Sequence, residues 1–546
     1  MFVRLKKTGK YKYLQIVQTY REGKKVKQRV ISTLGRLEEL QQKGDIETII
    51  SSLSKYSKEV IMCLTGKGDT SGESFVIGPV LVFERLWRES GLYGVINLLL
   101  EGRKYEFDVE RAIFVTVLHR LLVSGSDRSC EHWMQGYRIE GSEQLSLHHF
   151  YRAMAFLGDE IDDQSGKTPF SPRCVKDLVE ERLFLLRRNL FTELELVFFD
   201  TTSIYFEGKG GDEIGRYGNS KDHRSDRRQM VVGAILDNKG FPLCCEIWPG
   251  NTADVNTLLP VANRLRKRFG VEKMCVVADR GMISQDTVEA MEAKGMSYIL
   301  GVRMRRVNHV KRDVLTRAGR YQEVLPEVAL SKAPAPLRVK EVMHEDTRYI
   351  VCLNPRQARK DKADRDMIIE SLKDRIKSGA KSMIGNKGYR KYLRVSKDTI
   401  RIDESKVKDE ERYDGKWVLT TNMDMPADKV ALKYKELWRV EQVFREVKSI
   451  LETRPVYHKR DETIRGHVFC SFLALVLRKE LDMRMEAMGE HVEWLQIKQD
   501  LKRMQEVVIT QSDRKIALRT EASGDCHKVF KAVGMAIPPT IRKIEM

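Results

Sequence analysis

Two apolar runs that each close on an aspartate, Leu196–Asp200 and Lys273–Asp279, constrain this chain more than any other feature. Each reads as a strand, and parallel sheets place ligand-binding groups at or just beyond the carboxyl ends of their strands. Between and around them, Ser203–Glu207 reads as a separate strand after a short break. Gln229–Asp237 and Phe241–Pro249 read as strands joined by the turn Asn238-Lys239-Gly240, and Ala253–Phe269 as a helix. Ser284–Lys294 reads as a helix and Ser297–Val302 as a strand. Strands first, then helix, strand, helix and strand, predict a mixed α/β layer with a parallel portion. A lone acid at a strand end also serves as a turn cap, and Asp200-Thr201-Thr202 suits that role equally.

A third acid changes the balance. Residues 427–451 have helical periodicity, and Glu441 and Lys448 lie seven apart, two helical turns, on one face. Taken alone, this stretch is equally a solvated helix laced with salt bridges. Taken with Asp200 and Asp279, it completes a set of carboxylates. Carboxylates gathered in one site repel one another and persist only where cations offset their charge. Hard oxygen donors select Mg²⁺ or Mn²⁺ over Zn²⁺.

Charge points to the partner. The chain of 546 residues carries 97 Lys and Arg against 78 Asp and Glu, a formal excess of +19. That excess argues for a polyanion, most simply nucleic acid, although charge alone also fits a merely basic protein. The 42% hydrophobic content supports sizeable cores and excludes a disordered chain. The nine cysteines show no C-x-x-C spacing and read as small buried hydrophobes in a reducing cytoplasm. The amino terminus lacks the apolar stretch of a signal peptide, and the longest apolar run, Val468–Leu477, is too short to span a bilayer. No membrane partner is expected.

The organisation follows from shifts in composition. Residues 1–66 open with a basic hairpin and linker: the first 30 residues hold ten Lys or Arg and one acid, Glu22, with Tyr11, Tyr13 and Tyr20 interleaved, which suits DNA contact. Residues 75–190 read as a helical DNA-binding domain. His148, His149 and Tyr151 lie in it without nearby carboxylates, which favours helix packing or DNA contact over a metal. Residues 194–303 form the first part of the α/β core, 304–430 a β-rich insertion, 431–484 the second part of the core, and 485–546 a helical region suited to dimerisation. The loop 208–228, with Lys221, His223, Arg224, Arg227 and Arg228, is either a DNA-tracking or a merely solvated basic loop.

These motifs resemble those of DDE transposases of bacterial insertion sequences, within the IS-four superfamily and nearest its long-chain subgroup. The apolar strand before Asp200-Thr201-Thr202 resembles the first-Asp motif, and Val276-Val277-Ala278-Asp279-Arg280-Gly281 the second. Tyr434, Glu441 and Lys448 match the spacing of a third, Y-x2-R-x3-E-x6-K, but Leu437 stands at the arginine position and Arg439 is the nearest replacement. The resemblance implies an RNase H-like mixed sheet interrupted by a β-rich insertion before the Glu-bearing helix. It implies catalytic and metal-binding roles for Asp200, Asp279 and Glu441, with two Mg²⁺ ions, Mn²⁺ substituting, and no organic cofactor. It implies DNA contacts by Tyr434, Arg439, Lys448 and Arg280. Trp417, in Trp417-Val418-Leu419-Thr420-Thr421, resembles a residue that stacks a flipped base, which competes with a plain core role. The implied activity is cut-and-paste transposition: cleavage at terminal inverted repeats, a hairpin intermediate, and transfer to target DNA by a homodimer in the bacterial nucleoid. An RNase H-like nuclease or resolvase without strand transfer, or an inactive DNA-binding descendant, are the alternatives.

Overall fold

The computed structural model describes residues 2–22, 25–54, 71–168, 171–187, 196–270, 274–282, 284–324, 337–377, 387–395, 400–446, 448, 455–511 and 514–544. The chain forms two compact units: residues 1–73 with 508–517 and 543–546, and residues 74–507 with 518–542.

In the first unit, β1 (Phe2–Thr8), β2 (Tyr11–Glu22) and β3 (Lys25–Arg36) form an antiparallel sheet, followed by α1 (Leu37–Lys43) and α2 (Asp45–Ser54). The expected hairpin is therefore β2–β3, with an additional strand added by the first residues. The turn expected at Gly23 lies outside the described residues. Pairing of Lys6 with Tyr13 and of Tyr13 with Arg36 puts cations and an aromatic on one face. There Arg36 stacks over Tyr11, its Cζ 4.0 Å from the ring centroid.

After β4 (Ser71–Val76), the second unit opens with helices α3 (Gly78–Glu89), α4 (Leu92–Leu100), α5 (Val109–Leu122), α6 (Asp127–Met134), α7 (Leu147–Gly158) and α8 (Val175–Arg187). His149 completes the amino-terminal cap of α7 with Ser146 and stacks on Phe107, a packing role. The central sheet then assembles from β5 (Leu196–Tyr205), β6 (Gln229–Leu236), β7 (Pro242–Pro249), β8 (Cys275–Ala278) and β9 (Ser297–Val302), with α9 (Leu258–Phe269) and α10 (Gln285–Ala293) between its strands. Pairs β5–β8 and β8–β9 are parallel, and β5–β6 and β6–β7 antiparallel. The expected break after Asp200 is absent: β5 runs unbroken from Leu196 to Tyr205, because residues 198–205 all pair with β6.

The stretch 304–430 does not stand apart from this sheet. Its strands β10 (Gln322–Val324), β11 (Leu337–His344), β12 (Thr347–Leu353) and, after two intervening short strands, β15 (Lys416–Thr421) continue it, giving the order β10-β11-β12-β15-β9-β8-β5-β6-β7. The shorter strands are β13 (Leu393–Val395) and β14 (Ile400–Ile402), paired with each other. The stretch also carries α11 (Pro355–Lys377), α12 (Lys387–Arg390) and α13 (Glu404–Glu411), so it is mixed rather than β-rich. Trp417 lies half-buried on β15, packed against the main core.

One long helix is expected over 427–451. The chain instead makes α14 (Ala427–Lys435) and α15 (Trp438–Arg445), broken at Glu436-Leu437, so Tyr434 and Glu441 sit on different helices. The long helix α16 (Asp461–Ala487) is buried on every side from Val468 to Leu477, as an all-round apolar run requires. It packs on α5, α7 and β7, which joins the helices 78–187 and the sheet into one core. Its crossing with α7 depends on Gly158 and Gly466, since a side chain on either would overlap the backbone of the other helix. Helices α17 (Trp494–Arg503) and α18 (Cys526–Ala532) complete the packing on α3 and α16. Eight cysteines among the described residues are free and buried.

A second stabilising device is electrostatic. Lys176, Asp177 and Glu180 on α8, Glu246 on β7, and Arg264 and Arg268 on α9 form a charge network whose side chains are at most 2% exposed. Asp177 bonds Lys176 at 2.7 Å and Arg264 at 2.8 Å, Arg264 bonds Glu246 at 2.7 Å, and Arg268 bonds Glu180 at 2.7 Å. Lys176 Nζ also donates to the Cys245 carbonyl at 2.8 Å, and Glu180 accepts from the Cys245 N–H at 2.9 Å. The network thus fixes α8 and α9 to β7.

Candidate active site

Asp200 and Asp279 are brought together by parallel pairing. Phe199 pairs with Ala278, the last residue of β8, so the two aspartates follow on adjacent strands. Asp279 lies where β8 ends and the chain turns, whereas β5 continues past Asp200, held only by β6. The Asp200 carboxylate accepts the Thr201 N–H at 2.7 Å. Burial pushes its pKa up to about 6; Lys221 pulls it down, and Asp279 and Asp254 add to the rise.

Tyr434 reaches over from α14 to donate its hydroxyl to Asp279 Oδ1 at 2.9 Å. Burial, then the neighbouring Asp279 charge, raises the Tyr434 pKa, so the phenol stays a donor. Gly301 on β9 makes this reach possible, because a side chain there would overlap the Tyr434 hydroxyl.

Glu441 is exposed on α15, which packs against β5 and β6. Among the described residues no hydrogen bond joins it to either aspartate. Arg439 is turned elsewhere: its guanidinium donates to the Asn238 carbonyl at 3.0 Å in the β6–β7 turn. Asp200 pairs with Ala234, so Asn238 lies four residues on, towards the start of β5 and away from the carboxylates. Lys448 donates to Asp222 Oδ1 at 2.8 Å. Arg280, with Arg303, Arg305 and Arg306, lines an open cavity of about 420 Å³ that includes Asp279. Arg303 is fixed there by bonds to the carbonyls of Arg280 at 2.9 Å and Gly281 at 2.6 Å.

Sequence reading missed Asp254, Lys221 and Asp222 as members of this centre. Asp254 accepts from the Thr201 hydroxyl at 2.8 Å and lies 3.3 Å from Lys221 Nζ. It also lies beside Gly281, just past Asp279. Its segment is a short 3₁₀ turn, Asp254–Asn256, ahead of α9 rather than the first turn of that helix. In the sequence Asp254 falls inside the stretch Ala253–Phe269, which reads as a helix and gives no signal of a site.

A second carboxylate–imidazole group lies elsewhere, between α5, α6 and α16: Asp127, His458 and His467 present ligand-type atoms within 4.8 Å of one another. Arg120 fills the position of a cation there. It donates to Asp127 Oδ1 at 3.1 Å and to His467 Nδ1 at 2.8 Å, which makes the group a closed hydrogen-bond network. Burial and the Arg120 charge push the His467 pKa down to about 4, so its imidazole stays a neutral acceptor.

Residues 192–477 match the transposase DDE domain family, and that match spans more than half of the 546-residue chain. The chain is a DDE transposase of an insertion sequence. Residues 3–66 match the IS1634 family transposase N-terminal domain. A search of curated proteins finds no match. The mixed sheet, with Asp200 within β5 and Asp279 just past the end of the adjacent β8, agrees with the RNase H-like core that the resemblance implies. No described helix of the transposase is long and apolar enough to cross a membrane.

Proposed function

We propose that the transposase cuts DNA at the terminal inverted repeats of its own element and joins the freed 3′ ends to target DNA, through a hairpin intermediate and as a homodimer on DNA. The observation that carries this reading is that Asp200 and Asp279 directly follow Phe199 and Ala278, which pair on adjacent parallel strands, so the two carboxylates come together. Lys221 lies 3.3 Å from Asp254 and pulls the Asp200 pKa down, whereas Asp254 and Asp279 raise it. An all-oxygen donor set fits hard divalent cations, and Asp200, Asp279 and Glu441 would hold two Mg²⁺, or Mn²⁺ in substitution. Such ions, when bound, supply charge that activates a water or a 3′-hydroxyl and stabilises the leaving oxygen of a phosphodiester.

The protein's own groups do the rest. Tyr434 fixes the rotamer of Asp279 by its hydrogen bond. The rotation of α15 on β5 and β6 sets where Glu441 points, and DNA brings it onto the aspartates. Lys448 binds phosphate near the cut. Arg280, at the mouth of the arginine-lined cavity, grips the backbone of the strand leaving the centre, a task suited to guanidinium groups. The basic amino-terminal sheet adds sequence-independent affinity. Trp417 is half-buried, so base stacking would use only its exposed edge; Arg439 would reach DNA only after leaving Asn238.

The test uses purified transposase, Mg²⁺ and labelled DNA carrying the element's ends, with products separated on a denaturing gel and Asp279→Ala as control. Nicked, hairpin and joined products that vanish in the control support transposition. Cleavage without joining supports a nuclease or resolvase instead, and binding without cleavage an inactive descendant.

A further inference from the structure

The loop between β5 and β6 does not hang free as a basic arm. The backbone N–H groups of Asp212, Glu213 and Ile214 donate to the Asp461 carboxylate at 3.2, 3.0 and 3.1 Å. Farther along, Ser203 Oγ accepts the Lys221 N–H at 2.8 Å, and Ser220 Oγ accepts those of Asp222 and Arg224 at 3.3 and 3.1 Å. His223 takes a left-handed backbone, φ 57°, a conformation uncommon for a residue with a side chain. This turn sends two opposite charges into the catalytic signature. The Lys221 ammonium donates to the Thr201 carbonyl at 2.7 Å and hydroxyl at 3.0 Å, next to Asp200, and Asp254 holds it from behind at 3.3 Å. The adjacent Asp222 carboxylate takes Lys448 at 2.8 Å, in a pair whose side chains are only 10% and 13% exposed.

Each charge has the sign of something the working complex must hold at that place. The centre needs cations against its aspartates, and Lys448 needs an anion. We propose that Lys221 and Asp222 are an internal stand-in for the reaction's own charges. Lys221 holds the place of divalent-cation charge beside Asp200, and Asp222 holds the place of a DNA phosphate on Lys448. Metal and DNA then enter by exchange rather than by addition, and Asp254 is the positioning residue that receives Lys221. This rests on the proposed cleavage of DNA by this centre.

The physical consequence has a definite sign. Removing an occupant removes competition, so each substitution strengthens one kind of binding and not the other. A unit charge a few ångströms away, partly open to solvent at Lys221 and largely covered at Asp222, contributes on the order of 1 kcal/mol or more, which is about tenfold in affinity. Lys221→Met is expected to tighten Mn²⁺ binding about tenfold by calorimetry and to leave affinity for duplex DNA in EDTA unraised. Asp222→Asn is expected to tighten duplex DNA binding in EDTA about tenfold, with Mn²⁺ affinity unchanged, and Lys448→Met in the same chain should cancel the gain. Asp226→Asn, on the same loop, carries the same change in net charge and is expected to give a much smaller rise. Lys221→Gln and Asp222→Ser repeat each arm, and circular-dichroism melts identify any variant that fails to fold.

Mn²⁺ affinity unchanged or weakened in both Lys221 variants overturns the cation half. DNA affinity in both Asp222 variants no higher than in Asp226→Asn overturns the phosphate half. These titrations need no turnover, so they stand apart from the cleavage assay: wild-type protein that never cuts its ends sinks the functional reading, whereas normal cutting with flat titrations sinks the stand-in alone.

Discussion

Two regions of the second unit gather carboxylates, fully buried in one and partly open in the other, and they treat them differently. In the network of α8, β7 and α9, each of Asp177, Glu180 and Glu246 has a cation of the protein within hydrogen-bond reach. Burial alone would raise the Asp177 pKa, but Lys176, Arg268 and Arg264 outweigh it and hold the carboxyl well below its usual range, whereas burial still leaves Glu180 raised beside Lys176 and Arg268. At the active centre Lys221 pairs with Asp254, and burial, with Asp279 and Asp254 adding to it, leaves Asp200 high, at about 6. A buried charge is tolerable when paired and costly when not. In the first region the pairing holds the fold; in the second, the proposed metal ions would supply the compensating charge.

The largest effect that sharpens this contrast is on activity. Glu441→Gln and Asp279→Ala are each expected to lower strand cleavage at least about a thousandfold while leaving end binding in gel shift intact. An active Glu441→Gln protein would break the assignment of the third carboxylate.

Next comes the paired network. Asp177→Ala should cost roughly 3–5 kcal/mol of stability by chemical denaturation, because buried Lys176 and Arg264 each lose one of their partners. The Asp177 pKa is lowered on folding, so its contribution is present above about pH 4 and is lost as pH falls below that. A loss under about 1 kcal/mol would mean that water replaces the carboxylate.

The strand-end site should show the opposite sign. Asp200→Asn is expected to stabilise the metal-free transposase at pH 7.5 by roughly 1–3 kcal/mol while removing activity. The Asp200 pKa is raised on folding, so the penalty is full above about pH 6 and is relieved as pH falls toward 4. Excess Mn²⁺ should flatten that dependence in the wild type and not in the variant. A destabilised Asp200→Asn would show that the carboxylate is already neutralised.

The smallest effect concerns Arg439. Its bond to Asn238 is partly exposed, so Arg439→Ala should change stability by less than about 1 kcal/mol and cleavage by less than about threefold. A large loss of cleavage would mean that this side chain swings to the DNA.

What the chain's order of residues determined by itself is local and periodic. The apolar runs before Asp200 and Asp279, the turn at Asn238-Lys239-Gly240 and the all-round apolar stretch of α16 were legible because burial on a strand or helix demands those patterns. The third motif was legible through its spacing, except that the break at Glu436-Leu437 carries no glycine or proline to announce it. Tertiary structure decided the rest. Only the pairing of β15 with β9 makes the stretch 304–430 part of the central sheet. Only the packing of α15 on β5 and β6 sets Arg439 against the Asn238 carbonyl, away from the aspartates. Asp254, Lys221 and Asp222 lie in turns and loops, where no period applies. Their roles follow from charges brought within about 3 Å across the fold, and Coulomb energy depends on that distance, not on separation along the chain.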